Sequence, residues 1–284
     1  MIWDRDGVAY LGREQLWRWD GEDLKAVGPD GFRFLRALAM DGRGRIWMGG
    51  VNKFGVYDPE SDTYESRLDW IPEGQRNLGP IWELHHAGDH LWLGTGNTLF
   101  RLSAEEAVSW KFSGKHRVIF HFLETGVFAH ETGVGLWKIE GNERVLVNDD
   151  PRLREKSILG LDRYDTNSFV GVSVNGIFKL SSNLENVLSI HKLPFIDTVI
   201  SASRIINSNI IAFGTLGKGV YLLSKKGEIR AKLPIKYSVN SELVLDLKLD
   251  SKGNLWVLGN TGVWSVFMDI PVSIIDKSMG FEAG

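Results

Sequence analysis

The sequence predicts an all-β fold, a seven-bladed β-propeller of four-stranded blades, and three observations carry that prediction. The first is a repeated frame. DGRGRIWMGG (residues 41–50) and DSKGNLWVLG (residues 250–259) each place an Asp, a Gly three positions on and a Trp three further, and DRDGVAYLG (residues 4–12) repeats it with Tyr10 in the Trp place. The second is the period: the anchors Tyr10, Trp47, Trp92, Phe128, Phe169, Ala212 and Trp256 stand 37, 45, 36, 41, 43 and 44 residues apart, a mean of 41. A repeat of that length corresponds to one propeller blade. The third is composition, since 11 Trp and 32 Gly against 8 Pro suit many short aromatic-anchored strands joined by tight turns.

Taken in order, copy one starts a few residues after Met1, so its inner strand is expected to be a stub. Copy two is the clearest. FLRALAMD (34–41), RIWMGG (45–50), FGVYD (54–58) and TYESRL (63–68) read as four strands, separated by Asp-Gly-Arg-Gly, Asn52-Lys53 and Pro59-Glu60-Ser61-Asp62. Copies three to six follow as HLWLGT around Trp92, GVFAHETG around Phe128, SFVGVSVNG around Phe169 and IIAFGT around Ala212. The last copy gives LVLDLKLD, NLWVLG, GVWSVF and VSIID, and the closing SMGFEAG resembles a loop leading to another inner strand. The first blade is therefore expected to be incomplete or closed by both termini. No low-complexity linker divides the chain, so residues 1–284 read as a single propeller domain.

Composition removes several function classes. A net charge of −3 without a basic run offers no phosphate-neutralising surface, so no nucleic-acid partner is expected. The absence of Cys excludes disulfides, thiolate metal sites and Cys nucleophiles. No run approaches eighteen apolar residues, so no direct membrane insertion is expected, and MIWDRDGVAY lacks the pattern of a signal peptide.

The blocks LRALAMDGRGRIWMGG with FGVYD, and VLDLKLDSKGNLWVLG with GVWSV, resemble the two-component regulator propeller repeat. The resemblance implies a seven-bladed sensor propeller, periplasmic or extracellular, of the kind found in hybrid histidine kinases and related regulators. It further implies contact with a downstream signalling domain or a second copy. In copies four to six the Asp-x-x-Gly turn is lost and Ala212 replaces the aromatic. Two other propeller groups match less well: a sialidase-type box sets Asp five residues before its aromatic, against six from Asp41 to Trp47, and the Trp-Asp ending of WD repeats does not recur from copy to copy, standing at Trp19-Asp20 and otherwise only at Trp3-Asp4.

No catalytic motif emerges. DGRGRIWMGG lacks the Gly-Lys-Ser/Thr of a phosphate loop. Its residues serve a mechanical role instead, with Asp41 accepting backbone hydrogen bonds, Gly44 turning the chain and Trp47 packing between blades. GVSVNG around Ser173 is not a nucleophile elbow, and GTGNTL lacks the third glycine of a dinucleotide loop. His85, His86 and His90 in HHAGDH invite a zinc reading, but strand neighbours face opposite sides, so no metal site and no cofactor are assigned. His121 and His130 fall on neighbouring strands of copy four, where an enzyme of the virginiamycin-type lyase class, using a histidine and a divalent metal, is an alternative. A protein-binding scaffold is another.

The inner strands carry more polarity than a closed core needs: Arg36, Glu83, His121, Asp162, Arg204 and Asp246, with Trp82 beside Glu83. Polar groups converging with an aromatic on a concave axis suit a small hydroxylated molecule such as a carbohydrate. The competing reading pairs these charges with one another around a water-filled channel. The loops at Asn52, Asn97, Asn175 and Asn260 are expected to contribute to the rim.

Overall fold

A computed structural model describes residues 1–266 apart from 33, 114, 175, 194–198, 208, 234–242 and 260–261. Seven antiparallel sheets follow one another along the chain, each a simple meander in which strand order equals sequence order. We number them blades 1 to 7. The inner strands are Ile2–Trp3, Ala37–Met40, Glu83–Ala87, Ile119–Leu123, Ile158–Asp165, Val199–Ile205 and Val244–Leu249. The inner strands of blades 1, 2 and 3 pack in turn, as do those of blades 4, 5, 6 and 7, and His85 of blade 3 stacks on Phe122 of blade 4, so the architecture is a seven-bladed propeller. Six sheets have four strands. The seventh has three among the described residues, and VSIID, read as its outer strand, lies outside them.

All seven anchors lie on the second strand of their blade: Ala9–Gly12, Ile46–Gly49, His90–Gly94, Gly126–Glu131, Ser168–Ser173, Ile210–Leu216 and Leu255–Gly259. Tyr10, Trp47, Phe128, Phe169 and Ala212 are buried there, and Trp92 and Trp256 are half-buried. The four strands of copy two appear where the pattern puts them, shortened at the ends: Ala37–Met40, Ile46–Gly49, Phe54–Asp58 and Thr63–Ser66.

The repeated frame is a turn that also anchors a side chain. Asp41 Oδ1 accepts from the amides of Arg43 and Arg45, at 2.9 and 3.1 Å, while Oδ2 accepts from the Trp47 indole at 3.3 Å. Asp250 does the same for the amides of Lys252 and Asn254 and the Trp256 indole, each at 2.9 Å. Gly44 and Gly253 both sit at φ 81°, a conformation that favours glycine. Asp4 makes the two amide bonds, to Asp6 and Val8, with Gly7 at φ 84°. One carboxylate thus closes a hairpin and satisfies an indole N–H that burial would otherwise leave unpaired.

The core is divided among the clefts between sheets. Trp47, Phe54, Ile81, Leu91 and Leu93 fill blades 2 to 3, and Phe128, Leu161, Phe169 and Phe178 fill blades 4 to 5. Val170, Ile211 and Phe213 join blades 5 and 6, and Ala212, Leu222, Val244 and Val257 join blades 6 and 7. Each fully buried Leu, Val or Phe contributes about 1.5–3 kcal/mol relative to exposure, so a blade gains most of its stability only beside a neighbour.

The ring closes through tryptophan. Trp256 of blade 7 packs edge-on against Trp3 and Trp19 of blade 1, at centroid distances of 5.6 and 5.3 Å. Blade 1 has all four strands within residues 2–27, and its inner strand is the expected stub, Ile2–Trp3.

Burial pushes the Asp41 carboxyl up, but the Arg43 and Arg45 amides and the Arg45 guanidinium outweigh it and hold the group below the usual carboxylate range. A depressed carboxyl stabilises the fold above its ordinary pKa and loses that contribution as pH falls through the folded value. Asp41→Ala is expected to cost about 1–3 kcal/mol in urea unfolding at neutral pH, the penalty for an unpartnered buried N–H. That deficit is expected to shrink as pH falls through the lowered pKa of Asp41, where the wild-type carboxylate itself becomes protonated.

Candidate functional site

Three consecutive blades present side chains at one mouth of the axial channel, where the inner strands begin. Arg36 precedes the inner strand of blade 2, its amide held by the Gly49 carbonyl at 2.9 Å. Trp82 precedes that of blade 3, its amide bonded to the Gly94 carbonyl at 2.8 Å, and Glu83 is the strand's first residue. Arg117 precedes the inner strand of blade 4, next to Val118, whose amide is held by the Gly96 carbonyl at 2.8 Å. These hydrogen bonds fix the backbone under every member of the group.

Trp82 is the hub. The Arg36 guanidinium carbon lies 4.6 Å from its ring centroid and that of Arg117 lies 4.2 Å away, so two cations share one indole. Arg117 also donates to Glu83 Oε1 at 2.5 Å. Glu83 Oε2 is buried and has no hydrogen-bond partner. Gly94 makes room for it: a Cβ there would lie 2.9 Å from Oε2 and 2.5 Å from the Phe120 ring. Burial pushes the Glu83 carboxyl up to about 7 despite the opposing charges of Arg117 and Lys248. Lys248 stands on the inner strand of blade 7 with its amine 3.9 Å from Asp246.

The structure brings Arg36, Trp82 and Glu83 together, and Asp246 belongs to the same channel through Lys248. The other sequence candidates sit elsewhere. His121 is buried, with Nε2 unpartnered, on the face of blade 4 that it shares with His130. Asp162 bonds the amide of Arg163 and faces the Lys225 amine, which rests on the Tyr164 carbonyl at 3.0 Å. Arg204 is exposed opposite Ala212. Asn52 does shape a loop, its side chain accepting from the Gly79 amide at 2.7 Å, whereas Asn175 and Asn260 lie outside the described residues.

His130 is a structural bridge. Its Nε2 donates to the Leu153 carbonyl at 3.2 Å and its Nδ1 accepts from the Ile158 amide at 3.3 Å, tying blade 4 to blade 5. Both nitrogens are used, so none is left for a metal. His85 stacks on Phe122 of blade 4 at 4.7 Å and pairs with Trp92, one register step from the His86–Leu91 pair. Among the described residues no three His, Asp or Glu side chains are grouped to hold a metal ion.

Arg117 escaped the sequence reading although a signal was present. Arg36 and Arg117 each stand eleven residues before their blade's anchor, Trp47 and Phe128. Repeat position therefore marks the site where residue type alone does not.

No family model matches the sequence, and no curated protein matches it. Solved structures do. The extracellular domain of the hybrid two component system BT4673 from B. thetaiotaomicron aligns over 93% of this chain with a TM-score of 0.71 and 17% identity, and this chain spans 37% of that chain. The WD40 β-propeller domain of Doa1 aligns over 93% of this chain and 89% of its own, with a TM-score of 0.69 and 13% identity. Catalytically inactive virginiamycin B lyase from Staphylococcus aureus, solved with quinupristin, aligns over 92% and 91%, with a TM-score of 0.68 and 12% identity. What these likenesses establish is the propeller fold.

Burial pushes the imidazoles of His121 and His130 down, to about 3 and about 4. Both are neutral when folded, so the unfolded chain binds more protons and stability falls as pH drops from about 6.5 toward those values. His121→Phe, which removes the unpartnered buried Nε2 along with the ring's hydrogen bond to the Ile158 backbone, is expected to retain neutral-pH stability within about 1 kcal/mol. Comparison of the variant with wild type by urea unfolding between about pH 6.5 and 4.5 is expected to show roughly one fewer proton in the acid dependence.

Proposed function

We propose that this propeller is a noncatalytic ligand-recognition module, the sensing part of an extracytoplasmic two-component-type regulator, and that it takes a small hydroxylated ligand such as a carbohydrate at the channel mouth. The observation that carries the reading is the convergence of Arg36, Trp82, Glu83 and Arg117 from three blades. Each blade offers its inner-strand start to the same rim, and among the described residues only these carry an indole, two guanidinium groups and a partly buried carboxylate. The repeat frame resembling two-component regulator propellers supports the reading, as does the likeness to an extracellular two-component domain.

The same rim exposes Phe34, Val51, Val199, Leu216 and Leu245. These apolar side chains stand near the starts of the first strands or the ends of the second strands of blades 2, 6 and 7, where a downstream domain or a second copy would read out an occupied site.

A thermal-shift screen with neutral and acidic mono- and oligosaccharides tests the proposal. At a hundredfold excess over Kd a bound ligand adds about 2.7 kcal/mol of stability, a shift of several degrees. The shift is expected in wild type and lost in Trp82→Ala. A screen in which no saccharide of either kind stabilises the protein would remove the recognition reading.

A further inference from the structure

We propose that Arg36 and Arg117 form an anion clamp for a small carboxylate-bearing ligand, a sugar acid, and that Glu83 is the internal anion this ligand displaces from Arg117. The inference rests on the recognition role above and adds the ligand's charge.

Trp82 is the first reason. A neutral sugar stacks on an open aromatic face, but here two guanidinium groups lie 4.2 and 4.6 Å from the ring centroid. Stacking would have to displace one of them. A carboxylate instead meets planar donors already held over the ring, the arrangement arginine uses for bidentate recognition. Arg36 is exposed, and among the described residues no carboxylate pairs with it.

Glu83 is the second. It satisfies Arg117 through Oε1 while Oε2 stays buried without a partner against Gly94 and Phe120. The pair is half-exposed on the Arg117 side while Glu83 Oε2 is buried and unpartnered, so a charged Glu83 is poorly satisfied and transferring Arg117 to an incoming carboxylate loses little if Glu83 then takes a proton. Burial already holds this carboxyl up near 7. The charges facing it are Arg117 from the loop before blade 4, Lys248 from blade 7 with Asp246 beside it, and Arg36 across the shared indole.

With its carboxyl pushed up to about 7, Glu83 gives up its charge below that pH and its hold on Arg117 weakens in the ligand's favour. Above it the ionised carboxylate competes, so affinity for an acid falls as pH rises, and binding near neutrality takes up a proton.

Calorimetric titration of the full chain with D-glucuronate and D-galacturonate, against D-glucose and D-galactose, tests both parts. The acids are expected to bind at least about tenfold tighter than their neutral counterparts and to weaken about tenfold from about pH 6 to about pH 8. Arg36→Ala and Arg117→Ala are each expected to cost about tenfold or more, the loss of one charge-assisted donor group. Glu83→Gln is expected to bind equally at both pH values. Should that variant fail to fold, wild-type titrations in two buffers of different ionisation enthalpy report the proton directly.

Neutral sugars binding as tightly as the acids would overturn the clamp and leave the recognition role standing. Acid binding unaffected by either arginine substitution would do the same. Wild-type affinity independent of pH, with no proton taken up, would overturn the displacement of Glu83. Silence from acids and neutral sugars alike would overturn the inference and the recognition role together.

Discussion

The structure depends on large side chains held between sheets, because a single four-stranded blade has two apolar faces and cannot hide either alone. An indole is the largest such wedge, and it brings an N–H that must find an acceptor when buried. Asp41 and Asp250 supply it from the preceding hairpin at 3.3 and 2.9 Å, and Glu131 supplies it to Trp137 at 3.0 Å in blade 4. Trp92 solves the problem of contact differently, stacking on Trp110 and leaning on Phe122 of the next blade. Turn chemistry and inter-blade packing are thus one device in the strongest repeats.

That coupling explains what was legible. Copies two and seven carry the whole device, so their strands and anchors could be read directly, and the seven-fold period followed. Copies four to six lose the Asp-x-x-Gly frame because their hairpins are shorter, yet part of its function survives. Asp165 accepts from the Asn167 amide at 2.8 Å, and Asn207 accepts from the amides of Asn209 and Ile210 at 2.8 and 3.0 Å. A side-chain oxygen near the start of a turn does the same work at a different spacing, which a fixed frame does not detect. Ala212 holds an anchor position without a wedge, and the volume there is filled from other positions by Leu222, Leu247 and Trp264.

The site was less legible than the fold, for a physical reason. Inner strands pair on one side only, so polar residues occur along their whole length, and polarity alone does not say which end of a strand a residue occupies. Arg36, Trp82 and Glu83 stand at strand starts and meet at the mouth. Arg204 stands near the end of a longer strand, and Asp162 on a bulged one, where it faces Lys225. His121 is on an inner strand too, but its ring turns into the sheet interface rather than the channel.

Ring closure depends on three tryptophans that join the first blade to the last. Trp19 and Trp256 come from blades 1 and 7, 237 residues apart in sequence, with ring centroids 5.3 Å apart. A double-mutant cycle on Trp19→Ala and Trp256→Ala, read by urea unfolding, measures that contact alone. A closed ring predicts a coupling of about 0.5–1.5 kcal/mol, the range for an aromatic pair. Strict additivity of the two substitutions would contradict it.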